Sequence, residues 1–129
     1  MSNSSSDALI EAVIIEDVDE VNRVIADGAD VNDSDKDGFT PLHFAAQNRS
    51  PEIASVLISA GANVNASDTH GNSPLWVAIF SYEGDGSIVQ LLLDNKADPY
   101  HKNKAGNTPV GLARTIANYD VAKYFDNIP

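Results

Sequence analysis

The chain has 129 residues, 43% of them hydrophobic, a formal net charge of −11 and no cysteine. That length supports one domain with a modest core, and the missing cysteines exclude disulfides and thiolate chemistry. Strong acidity argues against direct nucleic-acid binding, which needs basic patches, and no apolar run approaches the roughly 20 residues that span a bilayer.

Residues 1–6, Met-Ser-Asn-Ser-Ser-Ser, are polar and uncharged. They are expected to form a flexible tail and do not resemble a secretory signal, so a cytoplasmic location is expected. The acidity is concentrated at this end. Residues 1–37 carry 11 acids against 2 bases, whereas residues 38–129 carry 8 against 6. Gly28 is placed to end a helix in the left-handed conformation. The run Asp33-Ser34-Asp35-Lys36-Asp37-Gly38 then looks like the start of an EF-hand loop, with oxygen ligands at loop positions 1, 3 and 5 and glycine at 6. Position 12 would be Phe44, where a bidentate Glu is required, and Thr40-Pro41 begins a helix inside the would-be loop. A metal role for Asp33, Asp35 and Asp37 is therefore only an alternative reading.

Thr40-Pro41 predicts a helix start: the hydroxyl caps free N–H groups, and proline loses nothing at the first helical position. Leu42, Ala45 and Ala46 then give a narrow face for close helix packing. A second helix is predicted through Ile53, Val56, Leu57 and Ile58, with Ser50 and Pro51 as its cap and first residue, and Gly61 ends it. The pattern restarts at Ser73-Pro74 with a second helix through Ile88, Leu91, Leu92 and Leu93. Between these two lies Ser81-Tyr82-Glu83-Gly84-Asp85-Gly86-Ser87, two residues longer than its counterpart and expected to lengthen the loop. Lys96 stands where the terminating glycine was, so Asn95 or Lys96 must take unusual backbone angles. Thr108-Pro109 starts the last unit.

Asp37-Gly38-Phe39-Thr40-Pro41-Leu42-His43 thus returns after 33 residues as His70-Gly71-Asn72-Ser73-Pro74-Leu75-Trp76 and after 35 more as Ala105-Gly106-Asn107-Thr108-Pro109-Val110-Gly111. A second phrase, Gly61-Ala62-Asn63-Val64-Asn65, recurs in register with it. The chain resembles the ankyrin repeat family over about residues 7–127. The resemblance implies an all-α repeat solenoid of helix-turn-helix units joined by β-hairpin-like loops. Its units are expected at 7–36, 37–69, 70–104 and 105–129, the first lacking Thr-Pro and the last truncated.

The family pattern implies a concave face of loops and first helices that binds protein. Carried onto this chain, it implicates Asp33, Lys36, Asp37, Phe39, Thr69, His70, Asn72, Lys104, Ala105 and Asn107 in the loops. On the first helices it implicates Gln47, Asn48, Phe80, Ser81, Thr115 and Ile116, with Ile14 and Ile15 in the first unit. Phe39 and Tyr82 are expected to be exposed. Trp76, where the family has His, fits the core and a contact surface equally well. His43 is expected to brace neighbouring loops and Asp35 and Gly38 to shape the turn. His70 and His101 lie on adjacent loops that could approach each other, but partner contact or solvent exposure is expected for both, and a metal-responsive or enzymatic role for these histidines or for Asp33, Asp35 and Asp37 is the alternative. No catalytic motif is visible, and no cofactor or metal is implied, so a non-enzyme is expected. The acidity points to a basic protein partner for a module that is monomeric on its own. Small acidic members of the family resemble bacterial immunity proteins that block a cognate toxin, so a stoichiometric inhibitor is one expectation.

Overall fold

A computed structural model describes residues 4–116 and 120–129. The helices come in pairs: α1 (Ser4–Ile14) with α2 (Val18–Ala26), α3 (Pro41–Gln47) with α4 (Pro51–Ser59), and α5 (Pro74–Phe80) with α6 (Ser87–Asp94). A shorter pair follows, α7 (Pro109–Thr115) with a 3-10 helix, Val121–Phe125. The first helices stack on one another in the order α1, α3, α5, α7, and α2, α4 and α6 stack as a second layer. Among the described residues there is no β-strand, so the solenoid is all-α.

Local chemistry sets the helix starts. The hydroxyls of Thr40, Ser73 and Thr108 accept the N–H groups of His43, Trp76 and Gly111, and each of these caps is followed by proline at the first helical position. Ser50 holds the predicted cap position, but its hydroxyl caps nothing; it donates instead to Glu16 at 2.7 Å, tying α4 to the α1–α2 turn. Helix α1 begins at Ser4, so half of the expected six-residue tail is helical, and residues 1–3 lie outside the described residues.

The small-residue face packs as expected: Leu42, Ala45 and Ala46 of α3 are fully buried, as are Leu75 and Ala78 of α5. Val21, Ala54, Leu57, Val89 and Leu92 of the second layer are fully buried as well, and Phe125 closes the far end. Removing a side chain such as Leu57 leaves a cavity with no partner and costs about 2–5 kcal/mol.

The loops joining the pairs form no ladder of strands. One side-chain oxygen turns each of them. Asp35 Oδ1 accepts the N–H groups of Asp37 (2.9 Å) and Phe39 (3.0 Å). Asp68 accepts those of His70 and Asn72, and Asn103 those of Ala105 and Asn107, in the same register. Single backbone bonds join successive loops, from Thr69 N–H to Asp37 and from Lys104 N–H to His70. Gly38 is required on two counts: its φ is +77°, and a Cβ there would sit 2.9 Å from Thr69 N. Behind the loops, Asn32 bonds to Asn63 and Gly61 of the next unit, and Asn65 bonds to Asp98 and Lys96.

At the helix ends, Gly28 and Gly61 take φ of +101° and +100°, and Lys96 takes +72° in the equivalent place. Arg49 and Glu16 are also left-handed, at +55° and +61°. Residues 81–86 connect α5 to α6, against 48–50 between α3 and α4, so the insertion lengthens this loop as expected.

Candidate protein-interaction face

The last residues of the four first helices are Ile14, Gln47, Phe80 and Thr115, and all four are exposed. They mark equivalent places in successive units, so they run as a row across the stack. Ile14 is 47% exposed, its neighbour Ile15 64% and Phe80 75%. Ile14 and Ile15 lie at one end of this row and Phe80 two units on, with the exposed Gln47 between them.

The loops border this row. Lys36, Asp37, Thr69 and His70 are exposed at the tips, Asp33 and Asn72 are half-buried, and Lys104, Ala105 and Asn107 continue the exposed line. A cleft of about 360 Å3 opens between loops and α3, lined by Asp35, Asp37, Phe39, Phe44, Gln47 and His70. Phe39 is half-buried rather than fully exposed, because its ring stacks on His43 at 4.8 Å and meets Phe44 edge-on at 5.1 Å. The ion pairs found among the described residues are Arg23 with Glu20 and Asp27, Arg49 with Glu83, and Lys123 with Asp120.

His43 is wholly buried and braces the loops. Thr40 N–H donates to Nδ1 at 3.1 Å, which leaves the proton on Nε2 to donate to the Asn72 carbonyl at 2.8 Å. Burial holds its pKa below the ordinary histidine value. Both ring nitrogens are thereby committed to structure.

Several sequence-implicated residues serve the scaffold. Asn48 is half-buried and its amide donates to the carbonyls of Val13 and Ile14, linking α3 to α1. Tyr82, expected to be exposed, is 3% exposed. Its hydroxyl donates to Asp120 and its ring meets Tyr124 edge-on, so the insertion's aromatic anchors the C-terminal segment. The Ser81 carbonyl accepts the Arg49 guanidinium at 3.1 Å, and Arg49 also pairs with Glu83 at 2.8 Å. The insertion is thus held from both sides, a role that nothing in its Ser-Tyr-Glu-Gly-Asp-Gly string announces. Trp76 is half-buried, on the wall of a second cleft between α5 and α7. His70 and His101 are not found to bond to each other: His101 Nε2 pairs with Ser67 Oγ at 2.8 Å, and among the described residues no group of three or more His, Cys, Asp or Glu is placed to hold a metal.

The fold and face define a repeat protein whose units offer one continuous surface. A family profile described as ankyrin repeats (3 copies) matches residues 9–103. The chain belongs to the ankyrin repeat family, whose members generally act as protein–protein interaction modules. It is 30% identical over 115 residues, 88% of this chain, to the tyrosine-protein kinase HTK16 of Hydra vulgaris, where the match covers 15% of that protein. It is 45% identical over 60 residues to the bovine mitochondrial disaggregase, 46% of this chain and 9% of that protein. It is 42% identical over 52 residues to mouse protein phosphatase 1 regulatory subunit 27, 40% of this chain and 34% of that protein. In each case the chain spans well under two thirds of the relative's length. Among the described residues no helix is long and apolar enough to cross a membrane.

Proposed function

We propose that this chain binds a basic protein through its loop-and-first-helix face and works by occluding that partner, without chemistry of its own. The observation that carries the reading is the exposure of Ile14, Ile15 and Phe80 at the ends of the first helices, beside loops that carry the exposed Asp37 and the half-buried Asp33 and Asp35. Apolar anchors supply affinity, and residues 1–37, with 11 acids against 2 bases, steer a cationic partner toward them. A stoichiometric inhibitor, such as an immunity protein that neutralises a basic toxin, is the role this combination suits best. Such a binder needs no catalytic residue, cofactor or metal.

The test is capture on the immobilised full chain, followed by titration of the purified partner. A basic protein whose association slows with added salt, and whose affinity falls about tenfold or more for Phe80→Ala, supports the reading. Salt-independent association, or a partner held as tightly by Phe80→Ala and by Ile14→Ala as by the parent, overturns it.

A further inference from the structure

Asp35, Asp68 and Asn103 turn their loops in one way, each through its Oδ1, but the atom beside that oxygen does not find the same partner in each. In the last loop Asn103 Nδ2 donates to Asn72 Oδ1 of the preceding unit at 2.9 Å. Asp68 and Phe39 hold the equivalent places one unit earlier. A phenyl ring has no polar hydrogen to give, and Asp68 Oδ2 meets no protein donor among the described residues. Asp68 is nevertheless only 8% exposed. A buried carboxylate oxygen without a donor is unfavourable and calls for one from elsewhere. Asp68 lines the cleft of about 360 Å3 between the loops and α3, together with Asp35, Asp37, Phe39 and Phe44. Lys36, the nearest base along the chain, is exposed at the loop tip and is in no ion pair found among the described residues.

Three carboxylates and two aromatic rings around one cleft suit a cation. A metal ion fits poorly: among the described residues no three of His, Cys, Asp and Glu are placed to hold one, so the carboxylates surround the cleft without converging on a point. Separated acceptors match a guanidinium, whose five N–H donors spread over a flat fork, better than the point charge of an ammonium. The flat face of that fork also packs on aromatic rings. A second copy of this chain is a poor source of it, because two molecules of net charge −11 repel. We propose that this cleft receives one arginine side chain of the protein partner, which donates to Asp68 Oδ2 under the charges of Asp35 and Asp37. The inference rests on the basic partner proposed above and names the side chain that its loop face selects. Asp68 is the contact residue; Phe39 acts by offering that oxygen no donor.

The full, isotope-labelled chain is titrated with N-acetyl-argininamide, N-acetyl-lysinamide and N-acetyl-leucinamide, with amide NMR shifts followed throughout. The proposal predicts that argininamide shifts the Phe39, Phe44 and His70 signals saturably, that lysinamide binds more weakly and that leucinamide does neither. Asp68→Asn is the decisive variant. Asparagine already turns the equivalent loop at Asn103, so this variant should keep the turn and the parent's urea midpoint. It should bind argininamide about tenfold more weakly, since one hydrogen bond to a charged group is lost. Asp19→Asn on α2 removes the same charge elsewhere and should bind argininamide like the parent. A response spread over the acidic first unit, with Phe39 and His70 unmoved, overturns the proposal. So does equal binding of argininamide and lysinamide, an equal loss in Asp68→Asn and Asp19→Asn, or an Asp68→Asn that binds argininamide like the parent. A partner protein that holds Asp68→Asn as tightly as the parent, while losing affinity for Phe80→Ala, refutes the arginine cleft and leaves the wider binding face standing.

Discussion

Lys96 offers a clean measure of what a left-handed side chain costs this fold. Its φ of +72° sits in the place where Gly28 and Gly61 take +101° and +100°. The conformation puts Cβ too close to the following carbonyl and costs a non-glycine residue about 1–2 kcal/mol. The local hydrogen bonds use only backbone atoms: Lys96 N–H donates to Leu93, and its carbonyl accepts the Asn65 amide at 3.3 Å. Glycine keeps both. Fixing a glycine costs roughly 0.5–1 kcal/mol in added chain entropy, so the net gain expected for Lys96→Gly is about 0.5–1 kcal/mol. Lys96→Ala is the control, since it removes the same charge and keeps Cβ. Urea unfolding followed by circular dichroism should place Lys96→Gly above Lys96→Ala by that amount, with an unchanged dependence on urea. Arg49→Gly relieves a similar strain at +55°, but it deletes the bond to Ser81 and the ion pair with Glu83, so it should gain less. If Lys96→Gly is no more stable than Lys96→Ala, or Arg49→Gly gains more, the strain account of these helix ends is wrong.

Gly86 packs beneath Tyr124, and a Cβ there would lie 2.0 Å from its ring. Gly86→Ala should cost about 1–3 kcal/mol in urea unfolding, and the double variant with Tyr124→Ala should fall short of the summed single effects. The buried His43 gives a pH dependence of fixed sign. Its folded pKa is lowered by burial, so the unfolded chain binds the extra proton; stability is fully present above about pH 6.5 and declines as pH falls toward the folded value. Urea midpoints between neutral and mildly acid pH should show this fall in the parent and lose it in His43→Gln. Calorimetry with calcium should give no heat at millimolar metal, because Asp35 Oδ1 already holds two backbone N–H groups; saturable heat lost in Asp33→Asn would refute this.

The fold was legible because repetition reports the same physics several times. Thr-Pro and Ser-Pro starts, the Leu42/Ala45/Ala46 face and the Gly28 and Gly61 ends each mean little alone, and together they fix both helix layers. Lys96 was legible for the same reason, since an absent glycine in a repeated slot predicts strain. Asp35 could be separated from a calcium ligand only by its register with Asp68. The insertion was not legible in this way, because it has no counterpart. Tyr82 reads as an exposed aromatic in a polar string, and only the return of the C-terminal segment, with Asp120 and Tyr124, buries it. Ser50 likewise has the right residue type and place for a cap, yet Glu16, distant in sequence, takes its hydroxyl.

The most direct test of the account is the affinity of the purified, captured partner for four forms of the chain at low and high salt. These are the parent, Phe80→Ser, a charge reversal of Asp33 and Asp37 together that keeps Asp35 in the turn, and Ser55→Ala on the opposite layer. The account predicts that the parent and Ser55→Ala bind alike, that Phe80→Ser dissociates faster at both salts, and that the reversal associates more slowly with its salt dependence reduced. Equal binding by all four forms, or loss confined to Ser55→Ala, contradicts a partner seated on the loops and first helices.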